Sequence, residues 1–332
     1  MQTILAQPQV KTGFQRGRFF KLSGRCAMVL AILTLGACTG SPRPASSTLP
    51  PGKLGDILAR GTLVIATDPE YPPQSELLTE VPRIAETRCA NNQFTANQFA
   101  GFDVDVAVEL SERLGVEACF VTPAWTQLIS GNWDNRWDIS VGSMVITQVR
   151  MQSLYFTQPY TSGAAILFVH EDNQTFNQPS DLSSKVIGVC TGCAYEFYLE
   201  GTLELPGQEI KFIVQDPVVI GYDTDTSALA DLALGDSVVL DAVLTDPDTG
   251  QAAIAGGLPI KALGAPLYYD FVSAAIDKKS SKDPLSLVAR VNEIIQAMHQ
   301  DGTLRKLSMQ YYGDDFSAAA SAFDIHSLEQ SP

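Results

Sequence analysis

GFDVDVAVELSERLGVEACFV, residues 101–121, carries the two periodicities that decide the fold. From Val104 to Leu114 apolar residues recur three and four apart, the spacing of a helix with one buried face, and Gly115 stops it. Glu117–Val121 (EACFV) then reads as a short strand. Upstream lie a short helix, Leu54–Arg60, and a fully apolar strand, TLVIAT (62–67), that ends at Asp68-Pro69. Between this strand and the helix, residues 71–100 are polar and aperiodic and predict a long loop.

The alternation continues downstream. Trp125 opens a helix or turn reaching Asn132, Asp138–Gly142 is a strand, and a helix starts near Thr147. Ala164–Val169 and Lys185–Val189 are strands, and Ala194–Glu200 and Thr226–Leu234 are helices. Val238–Thr245 is a strand running into Asp246, and Pro284–Met298 is a helix with Gly302 beyond it. Strands alternating with helices predict an α/β fold with a mostly parallel sheet. In such sheets ligands gather beyond the carboxyl ends of the strands. Asp68, Ser143, Cys193 and Asp246 all stand at such ends, which predicts a small-molecule site built from several segments.

Composition narrows the chemistry. The 332 residues include 37 acidic and 22 basic side chains, a formal charge of −15. A chain without a basic face is a poor partner for nucleic acid, whose phosphates need one. Three histidines, His170, His299 and His326, lie far apart with no cysteine or carboxylate at ligand spacing, so neither a zinc site nor any other metal or cofactor is expected.

Residues 1–37 carry five basic side chains and no acidic one, then the apolar run AMVLAILTLGA (27–37), too short to span a bilayer at about 20 residues. This is the pattern of an export signal, and Leu35-Gly36-Ala37-Cys38 resembles a bacterial lipobox, in which the cysteine is acylated and becomes the first residue. Removal of residues 1–37 leaves 17 basic against 37 acidic residues, a charge of −20. A surface that acidic is not drawn to anionic lipid, so the acyl chain is the expected anchor on the periplasmic side of the envelope. Residues 38–53, rich in Pro and Ser, read as a tether.

Four cysteines remain: Cys89, Cys119, Cys190 and Cys193. An even number in an exported chain predicts two disulfides, and three pairings are possible. The tight turn Cys190-Thr-Gly-Cys193 favours 190–193 and leaves 89–119. The same CxxC, between a strand and a helix, also suits a redox-active pair.

Seven segments occur in order: GTLVIATDPEYPP (61–73), GFDVDVAVELSERLG (101–115), WDISVGSMVITQVR (137–150), LYFTQPY (154–160), DLSSKVIGVCTGC (181–193), LDAVLTD (240–246) and DGTLRKLSMQYYG (301–313). Together they resemble the bacterial extracellular solute-binding proteins of ABC-type amino-acid importers, the group with the glutamine- and histidine-binding proteins. The resemblance implies a type II periplasmic-binding-protein fold, two α/β lobes joined by two crossing strands that close on a ligand. Residues 54–160 plus 264–332 would form one lobe and 165–258 the other. It implies a monomer that binds a free L-amino acid and delivers it to a membrane permease.

The resemblance also implies roles. Arg150 would take the α-carboxylate, for which a guanidinium fork is suited. Asp246 would hold the ammonium together with the carbonyl of Ser143, while the amides of Cys193 and Ala194 would meet the carboxylate. Tyr71 and Trp125 would sandwich the side chain, and Asp68 would face its far end, favouring a polar or basic amino acid. Val145 stands where relatives carry a hydroxyl for the carboxylate, and Cys193-Ala194 replaces a Gly-Thr turn. Two other uses of such a fold remain open: an enzyme resembling cyclohexadienyl dehydratase, and a ligand sensor that signals by closure.

Overall fold

A computed structural model describes residues 49–330. The expected export signal (1–37), the lipidated Cys38 and the tether up to residue 48 lie outside the described residues.

The opening helix, Gly52–Arg60, buries Leu54 and Ile57 and ends at Gly61, whose left-handed backbone returns its N–H to the Ile57 carbonyl. Thr62–Ala66 follows with every residue buried, as expected of a strand covered on both faces. It pairs in parallel with Glu117–Val121 and with Ile139–Ser140. The helix between, Phe102–Leu114, presents Phe102, Val106, Leu110 and Leu114 to the core. Asp103 and Asp105 lie in its positive first turn and Arg113 in its last, as the helix dipole favours. Before it, Gly101 passes so close to Gln74 that a Cβ would sit 2.2 Å from the Gln74 carbonyl oxygen.

Nine strands make one sheet. Its centre is an antiparallel pair, Leu154–His170 and Ile260–Asp277, of 17 and 18 residues. At about 3.3 Å per residue each runs roughly 55–60 Å, three times an ordinary strand, and so serves both lobes. On one side lie Ile139–Ser140, Thr62–Ala66, Glu117–Val121 and Phe94–Thr95; on the other Ala242–Thr245, Val186–Cys190 and Val218–Tyr222. The outer strands are mostly parallel as expected, but the crossing pair makes the sheet mixed. The register of that pair slips between Leu263 and Tyr268.

Three expectations need correction. Residues 71–100 are not a plain loop. Glu70–Tyr71, Ser75–Leu77 and Phe99–Ala100 form a small antiparallel sheet, Phe94–Thr95 adds to the main sheet, and a Cys89–Cys119 disulfide pins the excursion to the Glu117–Val121 strand. Strands of two or three residues are too short to leave a period in the sequence. The strand expected over 238–245 forms only at Ala242–Thr245, with Val238 and Val239 exposed before it. Val218–Tyr222, an outer strand, was not anticipated.

Candidate functional site

The parallel strands of both lobes end on one cleft. Asp68 follows Thr62–Ala66, Ser143 follows Ile139–Ser140, Cys193 follows Val186–Cys190, Asp223 and Asp225 follow Val218–Tyr222, and Asp246 follows Ala242–Thr245. Bonds between distant segments cross it: Thr226 Oγ1 donates to the Glu70 carbonyl (3.0 Å) and Gln74 Nε2 to Asp246 Oδ1 (3.2 Å). Two adjoining cavities share Tyr71, Ser143, Val145 and Tyr195 as common wall. Asp68, Tyr71, Trp125, Ser143, Arg150, Cys193 and Ala194 line the larger one, and Asp246 lines the smaller. All eight residues expected from the sequence are thus brought to one place.

Arg150 stands in the one-turn helix Gln148–Met151, which Thr147 caps by accepting from the Arg150 N–H. Its side chain is 3% exposed. Nη1 donates to the Val145 carbonyl and Nη2 to the Gly192 carbonyl, both at 2.9 Å. Nε is buried with no acceptor, and Arg150 makes no ion pair with any described carboxylate. Burial pulls its pKa down to about 10. A buried guanidinium with an orphaned N–H is costly until an anion meets it. Trp125, whose ring lies 5.1 Å from the guanidinium carbon, adds a second buried and unpartnered donor, Nε1.

The rest of the cleft is acidic. In the larger cavity Asp225 accepts from Thr245 Oγ1 at 2.5 Å, and burial, with Asp68 nearby, raises its carboxyl to about 7. Asp68 accepts the Glu70 N–H at 2.8 Å, so the turn-forming and cavity-lining roles coexist in one side chain. In the smaller cavity Asp246 Oδ1 caps the helix Pro247–Ala255 through the N–H groups of Asp248 and Thr249. Burial and the Asp248 charge lift Asp246 to about 8. Asp270, 2% exposed, has a buried Oδ1 without a donor and is raised to about 7 by burial. A Cβ on Gly163 would sit 2.7 Å from Asp270 Oδ1 and 3.8 Å from Asp246 Oδ2. The two carboxyls therefore converge where this glycine leaves room.

Between the cavities the Tyr71 and Tyr195 hydroxyls stand 3.2 Å apart. Ser143 holds a left-handed backbone, φ +49°, unusual for a residue with a Cβ. The buried Asp103 fixes it, accepting from Ser143 Oγ at 2.7 Å and from Tyr160 at 2.9 Å. Tyr160 in turn accepts the Ser143 N–H at 3.2 Å.

The Cys190–Cys193 pair is a disulfide, as is Cys89–Cys119. Its turn packs on the aromatic wall, since a Cβ on Gly192 would lie 2.7 Å from Ile129 and 3.7 Å from the Trp125 ring. Gly192 N–H donates to Glu196 Oε2 at 2.6 Å. The sulfurs and an Asp225 oxygen lie within 4.8 Å of one another, but bonded sulfurs are not the thiolates a metal would need.

Sequence reasoning missed Asp103, Tyr195, Asp225 and Asp270. Asp225 reads as an acidic helix start and Asp103 lies inside a quoted segment, GFDVDVAVELSERLG, as a first-turn acid. Asp270 sits in a strand that Gly264 and Pro266 disguise.

Comparison with known proteins follows the same lines. The chain is 27% identical over 265 residues to the L-cystine-binding protein TcyJ of Escherichia coli (strain K12), covering 80% of this chain and 87% of that one. It is 29% identical over 228 residues to the L-arginine-binding protein of Pseudomonas aeruginosa, covering 66% and 81%. Among solved structures, a mutant of ArgBP from T. maritima superposes with a TM-score of 0.62 at 22% identity, over 79% of this chain and 99% of that one. The ancestral amino acid-binding protein AncCDT-1, a precursor of cyclohexadienyl dehydratase, superposes with 0.61 at 24% identity, over 78% and 99%. These likenesses establish the type II two-lobed fold. Because the family model matches residues 87–314, most of the folded chain, this protein belongs to the bacterial extracellular solute-binding proteins, family 3.

Proposed function

We propose that this protein is the substrate-binding component of an ABC-type amino-acid importer, a non-enzymatic monomer that closes on a polar or basic L-amino acid and presents it to the permease. One observation carries the reading: a single buried, unpaired guanidinium faces an excess of buried carboxyls across one cleft. That is the complement of a zwitterion with a cationic or donor-bearing side chain.

In this reading Arg150 takes the α-carboxylate, aided by the Cys193 and Ala194 amides. Asp246 and Asp270 hold the ammonium with the Ser143 carbonyl. Tyr71 and Trp125 flank the side-chain stem, where a cation gains about 0.5–2 kcal/mol from the rings. Asp68 and Asp225 meet its end. Arg150 already donates to Gly192 of the other lobe, so a ligand held by Arg150 and Asp246 ties residues 54–160 and 264–332 to residues 165–258 and favours closure. Relatives named for cystine, arginine and lysine/arginine/ornithine agree with an amino-acid ligand. The export signal 1–37, the lipid on Cys38 and the tether to residue 53 complete the reading as an envelope lipoprotein held at the membrane. Among the described residues no helix is long and apolar enough to cross a membrane.

Carboxyls that hold protons near neutrality also suit acid catalysis, and on this observation the dehydratase-like alternative rests. A thermal-shift panel of the twenty amino acids separates the readings. Ligand at 100 times its Kd adds about 2.7 kcal/mol of stability. We expect arginine, lysine, histidine or glutamine to lead. A panel led by glutamate, aspartate or leucine would overturn the ligand class, and conversion of any leading ligand would overturn the non-enzymatic reading.

A further inference from the structure

The two disulfides occupy different surroundings. Cys89–Cys119 is walled in, at 6% and 0% exposure, and borders neither cavity of the cleft. Cys190–Cys193 forms part of the wall of the larger cavity, with Cys190 buried and Cys193 half-buried. The turn it spans is already closed by other bonds. The Cys193 N–H reaches the Cys190 carbonyl, the Thr191 N–H reaches Tyr222, and the Gly192 N–H reaches Glu196. A cross-link over so short a loop removes about half the chain entropy removed across the 30-residue separation of the other pair. Stability alone is thus a weak reason for placing two sulfurs in the wall of the cavity.

The chemistry around them is suited to exchange. An Asp225 carboxyl oxygen lies within 4.8 Å of both sulfurs. With its pKa near 7, Asp225 populates both its acid and its base form at neutral pH. Thiol–disulfide exchange needs a thiolate to attack and a proton for the sulfur that leaves.

We propose that Cys190–Cys193 is a covalent capture site for a thiol-bearing amino acid, of which L-cysteine is the smallest. The inference rests on the reading that the cavity seats an amino acid with its carboxylate on Arg150. Ionised Asp225 takes the proton of the ligand thiol, and the resulting thiolate attacks the half-buried Cys193 Sγ. A ligand–Cys193 disulfide forms as the Cys190–Cys193 bond breaks, and Cys190 leaves as a thiolate that receives the proton back from Asp225. One disulfide is consumed and one is made, so no outside oxidant or reductant takes part. Attack by Cys190 on the mixed disulfide reverses the step and frees the ligand. From the reduced side, a Cys193 thiolate attacking L-cystine yields the same adduct and releases L-cysteine.

The test is peptide mapping by mass spectrometry after acid quench of the purified protein. With L-cysteine the expected product carries one added cysteine on Cys193. It should form about tenfold or more faster than the adduct of 2-mercaptoethanol at equal concentration, because binding orients the amino acid, and excess L-arginine should suppress it. Cys190→Ser, which lacks the resolving sulfur, should accumulate the Cys193 adduct from L-cystine. Absence of the wild-type adduct on Cys193, or equal rates for the two thiols, overturns the inference. Thermal shifts with L-arginine on the same samples separate the failures. Stabilisation by arginine without an adduct overturns covalent capture and leaves the amino-acid reading standing, whereas neither stabilisation nor adduct overturns both.

Discussion

The two ends of the cleft solve opposite problems with opposite means. At one end a single cation, Arg150, is held by the carbonyls of Val145 and Gly192 and by the face of Trp125. At the other, Asp246 and Asp270 converge over Gly163, and Asp270 feels the Arg150 charge without forming an ion pair with it. The guanidinium cannot shed its charge at physiological pH and must wait for an anion. The carboxyls can, and burial makes them hold protons near neutrality. The Arg150 end is therefore always charged, whereas on the proposed reading the acidic end becomes charged when a ligand ammonium arrives. A cleft with one fixed and one conditional pole would recognise an amino acid by its head and couple that recognition to pH.

The sharpest way to break the comparison is to remove the fixed pole. Arg150→Ala should weaken ligand binding by about 3 kcal/mol or more, over a hundredfold in Kd, because a buried carboxylate loses its only countercharge. Arg150→Lys should recover part of this at most, since an ammonium cannot match the fork. Near-native affinity in Arg150→Ala, measured by calorimetry, would remove Arg150 from the site.

The conditional pole predicts a smaller effect with a definite sign. Asp246, Asp270 and Asp225 hold protons in the ligand-free cleft, and a bound cation favours their ionised forms. Binding near pH 7 should then release protons, and affinity for a cationic ligand should rise with pH until the carboxyls are ionised, near about 8. Titrations in two buffers of different ionisation enthalpy check this, and proton uptake would contradict it. The same shifts bear on stability without ligand. The folded pKa values lie above the unfolded carboxylate value of about 3.9, so the contribution of these groups is full below that pH and is lost as pH rises through about 7 to 8. The ligand-free melting temperature should fall across that window, and a cationic ligand should offset part of the fall.

The smallest effect belongs to Asp68. One of its oxygens is engaged by Glu70, so Asp68→Asn should weaken arginine by about 1 kcal/mol, some fivefold, and glutamine by less. Equal losses for the two ligands would confine Asp68 to its turn.

How much of this cleft was legible depended on where each residue stands. Arg150, Tyr71, Trp125 and Asp246 terminate or follow short apolar runs, so strand ends and segment order located them together. Asp270 lies in the middle of a strand whose outer part, LGAPLYYD, has no alternation because it bulges between the lobes. Asp225 looks like any acidic helix start, and only folding turns it onto Thr245 and the cavity. Residues 71–100 hid their strands because each pairs for two or three residues only. Local pattern thus marked the rim of the site, and tertiary packing supplied the second half of its charge.

The most direct test of the two-pole account compares three ligands on the wild-type protein by titration calorimetry: L-arginine, agmatine, which is arginine without its carboxylate, and L-glutamate. L-Arginine should bind, agmatine should bind at least about a hundredfold more weakly because nothing meets Arg150, and L-glutamate should give no measurable heat of binding. Agmatine binding as tightly as arginine, or glutamate binding more tightly than either, would contradict the account.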